Sequence, residues 1–162
     1  MPDLESLLSR LLRHDVRFVL VGGYAAAAHG CTLVTMDVDV CCDMSRGNLM
    51  NLQAALDAIH PVHRMTPRRL PLRLTHDKCR AIRNLYLDTD SGPLDCLGEI
   101  KGVGDYGAVF RMSEPIELPS GTCRILTLDA LILAKSAMDR PRDRDAVLQL
   151  TAIRERSKGR RR

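Results

Sequence analysis

The run Val16-Arg17-Phe18-Val19-Leu20-Val21 stops at Gly22-Gly23, and four consecutive alanines, Ala25 to Ala28, follow almost at once. A short β-branched apolar run bounded by glycine predicts a buried strand, and an alanine run predicts a helix. The chain must therefore pass from strand to helix with only two glycines at the corner. Glycine there accepts backbone angles closed to other residues and lets a ligand approach the main chain with no Cβ in the way. The free N–H groups opening a helix over Tyr24 to His29 add a positive end to the same corner, so strand, Gly-Gly, helix is a phosphate-site layout.

The next segment supplies acid. From Thr35 to Cys41, Met36, Val38 and Val40 alternate with Asp37, Asp39 and Cys41, which predicts a strand with one apolar and one acidic face. Carboxylates at i and i+2 on a strand share a face, about 6 to 7 Å apart at the backbone. Hard cations such as Mg²⁺ take carboxylate oxygens together with substrate phosphates and water, so an acidic pair beside a phosphate cradle suits metal-assisted phosphoryl chemistry. Alone, a Gly-Gly is commonly a tight turn and an Asp-x-Asp a solvated strand edge. Their order and spacing carry the reading.

The remaining pattern is that of one domain. At 162 residues, 45% hydrophobic and 27% charged, the chain is neither disordered nor fibrous. With 3% aromatic residues and no Trp, its core must be built from Leu, Val, Ile and Ala. Leu4, Leu7, Leu8, Leu11 and Leu12 form one stripe of a helix over residues 3 to 13. Ser45 is the expected cap of a helix to Ile59, and Pro61, Pro67 and Pro71 divide the next stretch into loop and short extended pieces. Asn84–Asp88 and Leu94–Leu97 read as a hairpin, as do Ile116–Leu118 and Cys123–Leu126, with a helical turn near Tyr106 to Phe110 between them. Thr127 caps a helix over Leu128 to Met138, and Pro141 opens a last one reaching about Arg156. Residues 1–156 are expected to form the domain and 157–162 a frayed basic tail.

No apolar run approaches the roughly 18 residues of a membrane span, and the start lacks the basic region of a secretory signal. The expectation is a cytoplasmic protein with no membrane partner. The six cysteines, Cys31, Cys41, Cys42, Cys79, Cys96 and Cys123, include no CxxC pair and read as small buried hydrophobes. Residues 154–162 hold six basic groups and one acid, and the segment from His60 to His76 holds Arg64, Arg68, Arg69 and Arg73 with no acid. Both are candidate contacts for RNA, or simply solvated surface. His60 and His63 read as loop residues rather than a metal pair, His29 as a helix C-cap, and Tyr24 as a packing residue.

The stretch from Val19 to Val40, with Val-Gly-Gly-Tyr-Ala, His29-Gly30 and Thr-Met-Asp-Val-Asp-Val, resembles the nucleotidyltransferase fold of the DNA polymerase beta superfamily. It is similar to the small bacterial branch that includes AbiEii-type toxins and minimal (MNT) nucleotidyltransferases. The resemblance implies an α/β (α+β) fold with a mixed sheet flanked by helices and a C-terminal helical pair. It implies transfer of a nucleoside monophosphate from a nucleoside triphosphate to a hydroxyl of RNA, such as tRNA, or of a partner toxin protein, within a toxin–antitoxin setting. Asp37 and Asp39 would bind Mg²⁺ or Mn²⁺, and Gly22 and Gly23 would hold phosphates.

The resemblance also calls for a third carboxylate on a later strand. Asp95, within Leu94-Asp95-Cys96-Leu97, is favoured as catalytic and metal-binding because a charge on an apolar strand is costly unless used. Its alternatives are that Asp95 pairs with an arginine, or that Asp88 is the acid that matters. Lys135 and the turn Arg140-Pro141-Arg142-Asp143 match the branch's C-terminal pattern, giving Lys135 and Asp143 nucleotide-binding roles; the bland alternative is that Arg142 and Asp143 cap the last helix, as Asp145 is expected to do. Many relatives carry an arginine where this chain has Leu33, so a triphosphate contact is missing or comes from elsewhere. The rival reading is a non-catalytic nucleotide- or RNA-binding module, antitoxin-like, with the same fold.

Overall fold

A computed structural model describes residues 3–160. The leucine stripe becomes α1 (Leu4–Arg13), capped by Asp3, whose carboxylate accepts from the Ser6 N–H at 2.9 Å. The glycine-bounded run forms β1 (Phe18–Val21), buried throughout, and α2 (Gly22–Ala28) begins on the next residue with His29 as its C-cap. After a loop, β2 (Val38–Cys42) and α3 (Arg46–Leu56) follow, α3 continuing as a single 3₁₀ turn to Ile59. The proline-rich stretch holds a short edge strand, β3 (Val62–His63). Then come β4 (Asn84–Thr89), β5 (Gly92–Leu97), the small pair β6 (Glu99–Ile100) and β7 (Gly104–Asp105), and α4 (Tyr106–Arg111). The hairpin β8 (Ser113–Leu118) and β9 (Gly121–Leu126) precedes α5 (Leu128–Met138) and α6 (Pro141–Gly159).

Seven strands make one mixed sheet in the order β3-β4-β5-β2-β1-β9-β8. The pairs β2–β5 and β1–β9 are parallel and the other four antiparallel. Helices flank this sheet, and the C-terminal pair α5–α6 packs together as expected. Val38, Val40, Leu94, Cys96, Leu85 and Leu87 alternate along β2, β5 and β4 and are all but fully buried. They join Leu7, Leu8 and Leu11 of α1 and Leu49, Leu52 and Leu56 of α3 in the apolar core. All six cysteines are buried and unpaired. No helix among the described residues is long and apolar enough to cross a membrane.

Several boundaries differ from the sequence reading: β1 begins at Phe18 rather than Val16, α2 at Gly22 rather than Tyr24, β5 at Gly92 and β9 at Gly121, and three further shifts carry a physical reason. β2 begins at Val38, so Met36 and Asp37 precede the strand, and Met36 lies exposed at 52% instead of holding the strand's apolar face. β8 reaches back to Ser113, whose hydroxyl and carbonyl accept from the Arg124 guanidinium at 2.6 and 2.7 Å. α6 runs through Lys158 to Gly159, where fraying was expected; Arg, Glu and Lys are good helix formers, and Glu155 meets Arg154 and Lys158 at 3.6 and 3.8 Å. Arg161 and Arg162 of the expected tail lie outside the described residues.

Candidate functional site

The site is assembled by strand register. Val21 of β1 stands opposite Asp39 of β2, Asp39 opposite Asp95 of β5, and Asp95 opposite Tyr86 of β4. Residues paired this way share a face, so Asp39 and Asp95 are neighbours one strand spacing apart, about 4.8 Å at the backbone. The row extends one place further, because the Arg64 N–H donates to the Tyr86 carbonyl at 2.8 Å. Asp37 lies two residues before Asp39, half-buried like it, and borders the same cavity. Thr35 orients this approach by donating its hydroxyl to the Asp37 carbonyl at 3.2 Å.

The glycine corner abuts the acids. Gly22 has φ +67°, and a Cβ built there would run into the Asp39 side chain, with its Cβ and Cγ each 2.7 Å away. A Cβ on Gly23 would meet Thr35 Oγ1 at 2.6 Å. Both glycines are thus required by close approach, and at Gly22 by a left-handed backbone as well. α2 has only seven residues, so its dipole is short and the cations from α5 and α6 carry more of the positive potential.

Those cations converge from one buried acid. Asp143, 1% exposed, accepts from the Arg140 backbone N–H at 3.3 Å and from Arg140 Nε at 2.6 Å, and sits 3.4 Å from Lys135 Nζ. It therefore caps α6 and also clamps two cations. Burial alone would raise its pKa, but the Arg140 hydrogen bond and the Lys135 and Arg140 charges hold it below the ordinary carboxylate value. Asp37, Asp39, Asp95, Lys135, Arg140 and Arg142 line a single cleft of about 460 Å³, with Gly23 and Leu33 in its wall. The loop over this cleft is fastened to α6: Arg142 Nη2 donates to the Val34 carbonyl, and Gln149 Oε1 accepts from the Thr32 N–H at 2.8 Å. Asp145 is exposed and does not line it.

Crowded carboxylates leave an electrostatic mark. Asp39 has its pKa raised to about 6, first by burial and then by Asp95, with Asp37 adding to it and Lys135 and the Gly23 backbone opposing. Asp95 is also raised, by burial, while the Arg64 charge and hydrogen bond pull it down. An excess of negative charge around Asp39 is what a bound cation would neutralise. Among the described residues no three acidic, imidazole or thiol side chains are grouped so as to hold a metal ion by themselves. Mg²⁺ is usually held by one or two carboxylates plus phosphates and water, and Asp37 with Asp39 meets that requirement.

No protein-family model matches the chain, and no curated protein matches it in sequence. Among solved structures, it is similar to a candidate nucleotidyltransferase from Thermotoga maritima, with a TM-score of 0.52 and 14% identity, over 98% of this chain and 88% of that one. At that identity the likeness is one of fold. The chain has a nucleotidyltransferase-like fold.

Within that fold, Arg64 is the residue that sequence reasoning placed only in a basic stretch. Its Nη2 donates to Asp95 Oδ1 at 2.5 Å, and its Nη1 lies 3.8 Å from Asp88. The alternative in which Asp95 pairs with an arginine is therefore realised, although Asp95 also lines the cleft with Asp37 and Asp39. Arg69 pairs with Asp88, so half of the acid-free segment is neutralised by β4 and β5. The one available signal was its lack of local acids, which obliges any buried arginine there to find a distant partner. His29 caps α2, its Nε2 2.9 Å from the Leu126 carbonyl, and His60 meets Asp90 at 2.6 Å. Tyr24 packs against the core as a partly buried residue.

Proposed function

We propose that the protein is a nucleotidyltransferase that moves a nucleoside monophosphate from a nucleoside triphosphate to a hydroxyl acceptor. The observation that carries this reading is the in-register placement of Asp39 and Asp95, with Asp39 seated against Gly22 and Lys135 and Arg140 lining the same cleft. Triphosphate charge meets Lys135, Arg140 and Arg142, and the arginines from the α5–α6 turn compensate for Leu33. Asp37 and Asp39 would hold Mg²⁺ or Mn²⁺, which would supply charge neutralisation on the transferring phosphoryl group. Asp95 receives the acceptor's proton; Arg64 engages its Oδ1, and Oδ2 has no hydrogen-bond partner among the described residues. The acceptor oxygen bonds to the α-phosphorus as the bond to the bridging oxygen breaks, and pyrophosphate leaves.

The acceptor is proposed to be RNA, such as a tRNA end, or a side-chain hydroxyl of a partner toxin. Calorimetry with each nucleoside triphosphate, with and without Mg²⁺, tests the reading. Binding is expected to require Mg²⁺ and to vanish in Asp37→Ala/Asp39→Ala. Binding that persists unchanged in that variant overturns it. Leu33 in the cleft wall and the Arg64–Asp95 pair favour one second reading, a nucleotide- or RNA-binding module without catalysis. It predicts the same binding with no pyrophosphate release.

A further inference from the structure

A second cleft, of about 280 Å³, also borders Asp39. It shares Asp39, Lys135 and Arg140 with the first but has a different character. Gly22 lines the second cleft and Gly23 the first, so the glycine corner contributes to both. The second cleft is walled mainly by Tyr86 and Leu97 from the sheet, Ile100 from β6, and Leu131, Ala134 and Met138 from α5, with Asn84, Glu99 and Lys101 as further polar lining. We infer that this cleft receives the nucleobase of the nucleotide whose phosphates occupy the first. This inference rests on the nucleotide chemistry proposed above.

Three observations select a base over the acceptor. A flat heteroaromatic ring gains from apolar and aromatic walls, with few polar partners needed, whereas a sugar or peptide hydroxyl acceptor would leave its polar groups unmatched against Leu97, Ile100 and Leu131. The proposed proton-accepting residue, Asp95, lines the first cleft and not the second. Among the polar groups that line the second cleft with Glu99 and Lys101, Asn84 suits a ring edge: its Oδ1 accepts from the Gly98 N–H at 3.2 Å, which leaves its amide NH₂ free to donate. The two clefts meeting at Asp39 and Lys135 would bring the α-phosphate between base and pyrophosphate, as the covalent order of a nucleotide demands.

The test compares the full-length protein's affinity, with Mg²⁺ present, for the tightest-binding of the four nucleoside triphosphates and for inorganic tripolyphosphate, which has no base. Wild type is expected to bind the nucleotide at least about tenfold more tightly than tripolyphosphate, a difference near 1.4 kcal/mol. Ala134→Leu, which fills the second cleft, and Met138→Ala, which removes an exposed wall residue with little risk to folding, should each reduce that ratio severalfold while tripolyphosphate binding holds. A ratio unchanged in Met138→Ala and in any folded Ala134→Leu overturns the base assignment while leaving the phosphate site intact. Failure of wild type to bind either ligand overturns this inference together with the proposed function.

Discussion

The Asp39 carboxylate occupies the space that a side chain on Gly22 would need. The first residue of the strand-to-helix corner and the acid of the neighbouring strand are thus fitted to each other, seventeen positions apart in sequence. Gly22→Ala meets two penalties: the left-handed φ of +67°, worth about 1–2 kcal/mol, and the collision with Asp39, worth a further ~1–3 kcal/mol. Removing the carboxylate leaves the first untouched and relieves only part of the second, because the Asp39 Cβ, 2.7 Å from the position of the new Cβ, stays in Asp39→Ala. Urea unfolding of Gly22→Ala, Asp39→Ala and the double variant should therefore show a coupling of at least about 1 kcal/mol, the double variant being more stable than the two single effects predict. Strict additivity would mean that the two residues do not meet.

Asp39 also sets a pH dependence. Its pKa is about 6 when folded, against 3.8 as the ordinary value, because of burial and then Asp95. Between those values the folded state binds more protons than the unfolded one, so this residue's contribution falls as pH rises from about 4 to about 6 and is flat above. The ionised carboxylate then costs the metal-free fold about 1–3 kcal/mol. Asp39→Asn is expected to raise the urea midpoint at pH 8 and to change it little at pH 4. Mg²⁺ should stabilise wild type at pH 8 more than at pH 5, and Asp39→Asn at neither.

Local patterns fixed by one or two neighbours were legible, and pairings across the sheet were not. The stripe Leu4, Leu7, Leu8 and Leu11 requires only a helix of standard pitch, and the corner at Gly22-Gly23 only a strand and a helix in sequence. Asp37 was misjudged as a strand residue because the alternation continues through Met36, whose side chain nevertheless has no surface to pack on and lies exposed. The Arg64–Asp95 contact spans 31 positions and depends on the register of β3 on β4 and of β4 on β5, which no short-range spacing encodes. The second cleft was invisible for the same reason, being walled by β4, β5, β6 and α5 together.

Asp143 is the reverse of Asp39. Its pKa lies below the ordinary carboxylate value despite its burial, through Arg140 and Lys135, so its stabilisation is present above about pH 4 and is lost as acid protonates it. Asp143→Ala removes the α6 cap and strands Lys135, which is 19% exposed, beside an empty buried site. A loss of about 2–4 kcal/mol is expected at pH 7, shrinking toward pH 3. Asp143→Asn keeps an acceptor for the Arg140 N–H and should cost less. In both variants triphosphate affinity should fall more than monophosphate affinity, because the displaced ammonium is the one proposed to meet the outer phosphates. Equal weakening of both ligands would take Lys135 out of that role.

The basic groups divide into two sets with different expectations for an RNA acceptor. Arg64 and Arg69 are engaged by Asp95 and Asp88, so a polyanion must compete with these carboxylates to use them. Along the end of α6, Arg156 and Arg160 have no ion pair among the described residues, and Lys158 has only a 3.8 Å contact to Glu155. If RNA is the acceptor, counterion release gives log affinity against log salt a slope of about −0.7 for each phosphate contacted on a single strand. Replacing Arg156, Lys158 and Arg160 together by Gln should then flatten the slope by about 2 for a tRNA, whereas Arg69→Gln should hardly change it. A tRNA affinity that is undetectable at low salt in wild type would leave a protein hydroxyl as the acceptor, and nucleotide transfer would then be sought on a partner protein.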